Sequence, residues 1–295
     1  MLTRIVLATA ALLLVQAPAR AQEKLKVVAT FSILADFVKN VGGDRIAVTA
    51  LVGPNGDAHV YQPSPGDAKM LSDAKVVFTN GLGFEGWMAR LVKASGTKAP
   101  MIVATKGIKP RKSADDHGHG EADPHAWQSV ANAKLYVANI RDALAAADPA
   151  GKAAYEGNAV AYLAKLDALD AEVRAMVAKI PADRRKIITT HDAFGYFASA
   201  YGVAFIAPQG VSTESEVSAR DVAKIITQIR KQKIPAVFLE NISDKRLLER
   251  IGAESGARIG GTLYSDALTD EKGLAPTYLD MMRHNVKQLA VALTS

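Results

Sequence analysis

The sequence predicts an α/β protein of two lobes, each with a mainly parallel four-stranded sheet flanked by helices, joined by one long rigid linking helix. Three observations support this fold class. Short apolar runs alternate with helical patterns, which is typical of βαβ units. The runs form two sets of four, and an unusually long helical pattern separates the sets. The length of 295 residues also exceeds what one hydrophobic core usually serves.

The eight strand-like runs are short, rich in β-branched residues and apolar on both faces, as buried parallel strands are. They lie at 25–30, 45–52, 75–79 and 101–105 in the first set, and at 186–190, 203–206, 236–240 and 258–263 in the second. We therefore predict a first lobe over 22–148 and a second over 181–295.

The linking helix is predicted over 149–180. Apolar residues recur there at steps of three and four from Tyr155 to Ile180, which marks one buried face. Pro149 suits a first helical turn, and Pro181 stops the helix. About thirty residues would span roughly 45 Å, longer than a small domain is wide. We interpret this segment as a strut between the lobes; the alternative is an ordinary long helix inside one domain.

The first 21 residues are predicted to be a cleaved signal peptide. A short basic start ending at Arg4 precedes an apolar run over 5–15, and the segment 19–21 has the small-x-small pattern of a cleavage site. The apolar run is too short to cross a bilayer. We expect export with cleavage after Ala21 and, since the sequence has no cysteine for lipid attachment, a free periplasmic protein.

The composition excludes several classes of protein. Hydrophobic residues make up 49% and charged residues 22% of the chain, values near the globular average. Without cysteine there is no thiolate zinc site and no iron–sulfur cluster, so metal chemistry would fall to the six histidines and the carboxylates. Lysine and arginine are scattered and form no basic stripe, which argues against nucleic acid as a partner.

Four candidate metal ligands stand where strands end or helices begin. They are His59, His125, His191 and Asp266, two from each half of the chain. Ligands of open α/β sheets gather beyond the carboxyl ends of the strands. These side chains are therefore expected to meet in a cleft between the lobes.

The local sequence suggests how two of the imidazoles stay neutral. Asp123 and Pro124 predict a helix start with His125 in the first turn, and His191 precedes a helical-looking segment. The partial positive charge of a helix start disfavours imidazolium, although it also repels a bound cation. An anionic ligand such as Asp266 would offset that repulsion.

The segment 111–122 breaks the α/β pattern. It lacks apolar residues larger than alanine and mixes charge, glycine and histidine, so we expect a mobile solvated loop. His117 and His119 could form an accessory metal-capturing site with neighbouring acidic residues. An inert surface loop is the equal alternative, because ordering such a loop costs about 1–2 kcal/mol per residue.

Several stretches together resemble one family, the metal-binding solute-binding proteins of ABC transporters, of the ZnuA/TroA-like group. They are 57–65 (DAHVYQPSP), 80–87 (NGLGFEGW), 123–127 (DPHAW), 190–197 (THDAFGYF), 209–216 (QGVSTESE) and 264–268 (YSDAL). The resemblance covers essentially the whole mature chain in the same order. It implies two α/β lobes bridged by a rigid helix, with one metal ion in the cleft and no enzymatic activity.

The resemblance also assigns roles. His59 and His125 would be the ligands of the first lobe, and His191 and Asp266 those of the second. Manganese-type members usually carry Glu at the third position, whereas His191 is typical of zinc-type members. Three imidazoles and one carboxylate also suit Zn²⁺, while Mn²⁺ prefers more oxygen ligands. We therefore expect a periplasmic zinc-binding protein that delivers Zn²⁺ to an ABC importer, with manganese as the alternative metal.

The implied partners are a divalent metal ion and an inner-membrane ABC permease, with a periplasmic metallochaperone as a further candidate, and we expect a monomer. Two other classes of function stay open. A zinc hydrolase would use three histidines and keep Asp266 as a base, but the chain has no His-Glu-x-x-His motif. An adhesin or sensor would use the metal only for stability.

Overall fold

The computed structural model describes residues 23–112, 122–214 and 217–294. The predicted signal peptide over 1–21 lies outside this described part of the chain, and so do His117 and His119. The prediction of an accessory metal loop therefore stays a prediction.

The first sheet has four parallel strands in the order β2-β1-β3-β4. The strands are β1 (Leu25–Phe31), β2 (Ile46–Val52), β3 (Val76–Thr79) and β4 (Met101–Val103). Val27 of the central strand pairs with Val48 on one side and Val76 on the other. The helices of this half are α1 (Ser32–Gly42), α2 (Pro65–Asp73), α3 (Met88–Ser95) and α4 (Val130–Ala147).

The second sheet repeats this arrangement in the order β6-β5-β7-β8, again with parallel pairing. Its strands are β5 (Lys186–Ile188), β6 (Ala204–Ile206), β7 (Ala236–Glu240) and β8 (Arg258–Leu263). The remaining helices are α5 (Lys152–Ala178), α6 (Gly195–Tyr201), α7 (Ala219–Gln232), α8 (Lys245–Ser255) and α9 (Tyr278–Thr294). The predicted fold class of two parallel four-stranded sheets flanked by helices is confirmed.

The long helix α5 lies within the predicted range 149–180, and a single 3₁₀ turn over Pro149–Gly151 precedes its first residue. Its apolar stripe is buried as the periodicity predicts. The buried residues are Tyr155, Ala159, Tyr162, Leu166, Leu169, Val173 and Val177. The stripe packs against α1, α4 and α9, so α5 is bound to elements of both halves.

One apolar core runs through both halves of the molecule. It includes Phe37 and Tyr136 of the first half, Leu166 of α5, and Phe238 and Leu289 of the second half. A smaller cluster lies between the second sheet and the helices α7 and α8. The two sheets are thus joined by shared packing as well as by the chain itself.

The stripe of α5 yields a prediction about stability. Leu166→Ala should lower the free energy of unfolding by about 2–5 kcal/mol, because this fully buried side chain would leave a cavity in the shared core. Val160→Ala on the same helix is the matched control; Val160 is 69% exposed and should cost less than about 1 kcal/mol. Urea unfolding of both variants is the measurement. Equal losses would contradict the burial of the stripe.

Candidate metal centre

The four predicted ligands converge on one buried point. Nε2 of His59 lies 3.3 Å from Nε2 of His125 and 3.2 Å from Oδ2 of Asp266. Nε2 of His191 lies 3.1 Å from the same carboxylate oxygen. All four donor atoms lie within 4.8 Å of one another. His59 is 7% exposed and the other three are fully buried, so the site is closed to bulk water on most sides.

His59 stands on the loop that follows β2. Asn55 adopts a left-handed conformation there (φ 56°), which Asn tolerates better than most residues. Oδ1 of Asp57 accepts the backbone N–H of His59 at 2.9 Å. The far end of the loop is fixed by a capping box at the start of α2, in which Ser64 and Asp67 satisfy each other's backbone N–H groups. Both ends of the segment that carries His59 are therefore held.

The sequence predicted His125 in the first turn of a helix, but the structure does not place it there. It precedes a single 3₁₀ turn over Ala126–Gln128, and α4 begins only at Val130. Asp123 acts on His125 itself: its Oδ1 accepts the backbone N–H of His125 and lies 2.9 Å from the ring Nδ1. This contact fixes the ring so that Nε2 faces the other ligands.

His191 also lies farther from a helix than the sequence predicted. It pairs with Gln209 in an isolated parallel bridge, and α6 starts at Gly195. A buried carboxylate orients it: Oε1 of Glu240 accepts the backbone N–H of Thr190 and of His191. Oε2 of Glu240 lies 2.6 Å from Nδ1 of His191, which leaves Nε2 facing the other donors.

The segment around Asp266 is held by contacts from the first half of the molecule. The carbonyl oxygen of Ser265 accepts hydrogen bonds from Trp127 Nε1 (2.9 Å) and Gln128 Nε2 (2.7 Å), next to His125. Oγ of Ser32 accepts the backbone N–H of Leu268 at 3.0 Å. Oδ1 of Asp266 is buried and has no hydrogen-bond partner in the described part of the chain. This oxygen lies 3.6 Å from Nε2 of His125.

Electrostatics at the site are set by the carboxylates. Burial alone would lower the pKa of His125, but Asp266 and Asp123 raise it to about 9. For His191, Glu240 and Asp266 likewise outweigh burial and raise its pKa well above the usual range. The direction of both shifts is the reverse of the one that a helix start would produce.

The other two ligands shift in the opposite direction. Burial lowers the pKa of His59, against the attraction of Asp266. Burial would raise the pKa of Asp266, but His191 and His125 hold it well below its usual range. Without metal, the carboxylates thus favour protonation of His125 and His191, and a dication would have to compete with those protons.

A cavity of about 430 Å³ reaches the site from the surface. His59 lines it, together with Leu82 and Phe84 on one side and the segment 211–214 on the other. Phe84 also contacts His59 edge to face, with ring centroids 4.8 Å apart. The cavity gives an ion a route that arrives first at His59.

Two contacts were not predicted from the sequence. Glu240 lies against His191, and Asp123, which was expected only to cap a helix, lies against His125. Glu240 ends a strand just as the ligands follow strands, so its position at the sheet edge was the available signal. His284 lies outside the site, with its Nε2 3.0 Å from the carbonyl oxygen of Thr262. In the described ranges no helix is both long and apolar enough to cross a membrane.

Two parallel-sheet lobes that bury a cluster of metal-type donors between them define a substrate-binding protein. Residues 27–292 match the family described as "ZnuA: Zinc-uptake complex component A periplasmic". The chain belongs to this family, whose members are solute-binding components of ABC transporters and not enzymes. The hydrolase alternative is thereby excluded. The chain is a metal-binding substrate-binding protein of an ABC transporter that works outside the cytoplasm.

Individual relatives differ in the metal they are named for. The chain is 37% identical over 273 residues to the iron-binding protein YfeA of Yersinia pestis, covering 92% of this chain and 88% of the relative. It is 34% identical over 277 residues to the manganese ABC transporter substrate-binding lipoprotein PsaA of Streptococcus pneumoniae, covering 92% and 89%. Among solved structures, the periplasmic zinc-binding protein TroA of Treponema pallidum superposes with a TM-score of 0.87 at 32% identity, covering 92% of this chain and all of that one.

The electrostatics yield a prediction for the metal-free protein. Nitrogen-15 NMR of the imidazoles at pH 7.5 should show His125 and His191 protonated and His59 neutral, because only His59 has a lowered pKa. The pKa of His125 is raised from 6.5 to about 9. Its charge pairing thus stabilises the metal-free fold fully below pH 6.5, and this contribution is lost as pH rises through about 9. Three neutral rings at pH 7.5 would contradict the proposed role of the carboxylates.

Proposed function

We propose that His59, His125, His191 and Asp266 bind one Zn²⁺ ion in the periplasm for delivery to an ABC permease of the inner membrane. The observation that carries this proposal is the convergence of one donor atom from each residue within 4.8 Å. Ligands of a tetrahedral zinc ion at 2.0–2.1 Å lie about 3.3 Å apart. Three of the measured separations, 3.1, 3.2 and 3.3 Å, are close to that spacing.

The donor set supports zinc over manganese. Three imidazole nitrogens and a single carboxylate suit a four-coordinate ion of borderline softness, whereas Mn²⁺ favours sites rich in oxygen. The four protein donors would complete the shell and leave no position for an activated water. Binding without turnover agrees with a transport role.

Manganese or iron is the second candidate cargo, and one observation favours it. The buried Oδ1 of Asp266 lacks a hydrogen-bond partner among the described residues and lies 3.6 Å from Nε2 of His125. If both carboxylate oxygens bound the ion, coordination would rise to five, with two oxygen donors. That shell would suit a harder, larger ion than zinc.

The periplasmic location rests on the predicted signal peptide over 1–21 and on membership of the family. We also propose that the protein is a monomer, that it binds a permease, and that it exchanges metal with a metallochaperone. Size-exclusion chromatography with light scattering would test the monomer, since one chain already supplies all four donors.

Removal of one imidazole tests the ligand set. His59→Ala or His191→Ala should weaken Zn²⁺ binding by about a hundredfold or more, because three donors cannot complete a tetrahedral shell. His284→Ala is the matched control: His284 is a half-buried histidine that contacts Thr262 outside the site, and its removal should leave the affinity unchanged. Titration calorimetry with a competing chelator measures the difference. Full affinity in both ligand variants would refute the assignment.

Coordination number tests the choice of metal. X-ray absorption at the zinc edge should show four nitrogen or oxygen ligands at about 2.0–2.1 Å in the loaded protein. Manganese should bind more weakly and require added oxygen donors, from Oδ1 of Asp266 or from water. Five or six ligands around bound zinc would favour the oxygen-rich alternative instead.

A further inference from the structure

Asp57, two residues before His59, forms hydrogen bonds in two directions. Its Oδ1 accepts the backbone N–H of His59 at 2.9 Å. Its Oδ2 accepts the hydroxyl of Thr213, which lies in the other half of the molecule, at 2.6 Å. One carboxylate therefore holds the loop that carries His59 and ties that loop across the cleft.

The other end of this tie leads to His191. The side-chain amide of Gln209 donates to the carbonyl oxygen of Thr213 at 2.9 Å. Gln209 is itself paired with His191 in the isolated parallel bridge, and its backbone N–H donates to Thr190. A hydrogen-bonded path thus joins His191 of one half to His59 of the other without passing through the metal position.

The same bond joins the two segments whose neighbouring residues line the cavity. His59 lines that cavity, and so do Val211, Ser212 and Glu214. Asp57 stands on the loop that carries His59, and Thr213 lies between Ser212 and Glu214, so their hydrogen bond ties these two walls of the cavity together. An ion that leaves past His59 needs these walls to separate.

We propose that Asp57 is a positioning residue that, through Thr213, holds the His59 loop closed over the metal and so sets the rate at which the metal leaves. This inference rests on the proposed function, because it takes His59 as a ligand. Other contacts of the loop would persist when the bond opens: the backbone N–H of Asn55 donates to Leu268 at 2.8 Å, and Asn241 donates to the side chain of Asn55. Opening would therefore be local to the part of the loop that bears His59.

The test removes the hydroxyl of Thr213 and leaves Asp57 and all four ligands in place. Thr213→Val has the same shape but cannot donate, whereas Thr213→Ser keeps the donor. Thr227→Val is the matched control, since the Thr227 hydroxyl bonds only within its own helix, to Ala223. Each full-length protein is loaded with Zn²⁺ and mixed with an excess of a chromogenic chelator, and the dissociation rate is followed by stopped flow.

We expect Thr213→Val to release zinc about tenfold faster than the unsubstituted protein, the size of effect expected for one partly exposed hydrogen bond to a carboxylate. Thr213→Ser and Thr227→Val should release it at the original rate. Thr213→Val should lower the melting temperature of the metal-free protein by no more than a few degrees, and the other two variants should leave it unchanged, which separates a role in holding metal from a failure to fold.

Two results would overturn the inference while the proposed function stands: release from Thr213→Val at the original rate, or release from Thr213→Ser as fast as from Thr213→Val. Failure of the unsubstituted protein to retain zinc would instead refute the proposed function, and this inference with it. The unsubstituted protein thus distinguishes the two failures.

Discussion

A buried carboxylate beside three imidazoles is the constraint on which the rest of the site depends. Asp266 has no exposed surface, and an isolated charge in such a place would be strongly unfavourable. Protonated His125 and His191 compensate it when no metal is present, and their attraction keeps its pKa low. A dication can take over the same role when those protons leave. The site therefore has two states of similar charge balance, which is what reversible capture requires.

Carboxylates that do not face the centre give the imidazoles their orientation. Asp123 lies against Nδ1 of His125, and Glu240 lies against Nδ1 of His191. Such contacts fix which ring nitrogen faces an ion and increase its basicity. His59 differs, because Asp57 holds its backbone N–H and its pKa is lowered. The ligand that lines the cavity is thus the one whose pKa least favours a proton.

The sequence predicted the architecture well because the spacing of apolar residues indicates which faces of strands and helices are buried. Each predicted strand overlaps an observed one, and the stripe on α5 is buried from Tyr155 to Val177. The four donors of the site were also predicted, since residues that follow parallel strands meet at one edge of a sheet. Local context was less reliable: Asp123 and Pro124 suggested a helix start, yet the structure has only a 3₁₀ turn there. Glu240 ends a strand at the sheet edge where the ligands gather, but it lies 49 positions from His191, and the sequence alone does not show that these two residues pair.

The apolar core that both halves share restricts how cargo can be exchanged. A wide hinge rotation of one lobe against the other would expose packed side chains along α5 and α9 to water, at a large cost in hydrophobic free energy. Small displacements of surface loops avoid that cost. The outline of the molecule would then change little between its empty and loaded forms. A membrane transporter would then have to recognise the loaded form from the local shape of the loops around the entrance, because the overall shape of the two forms would be almost the same.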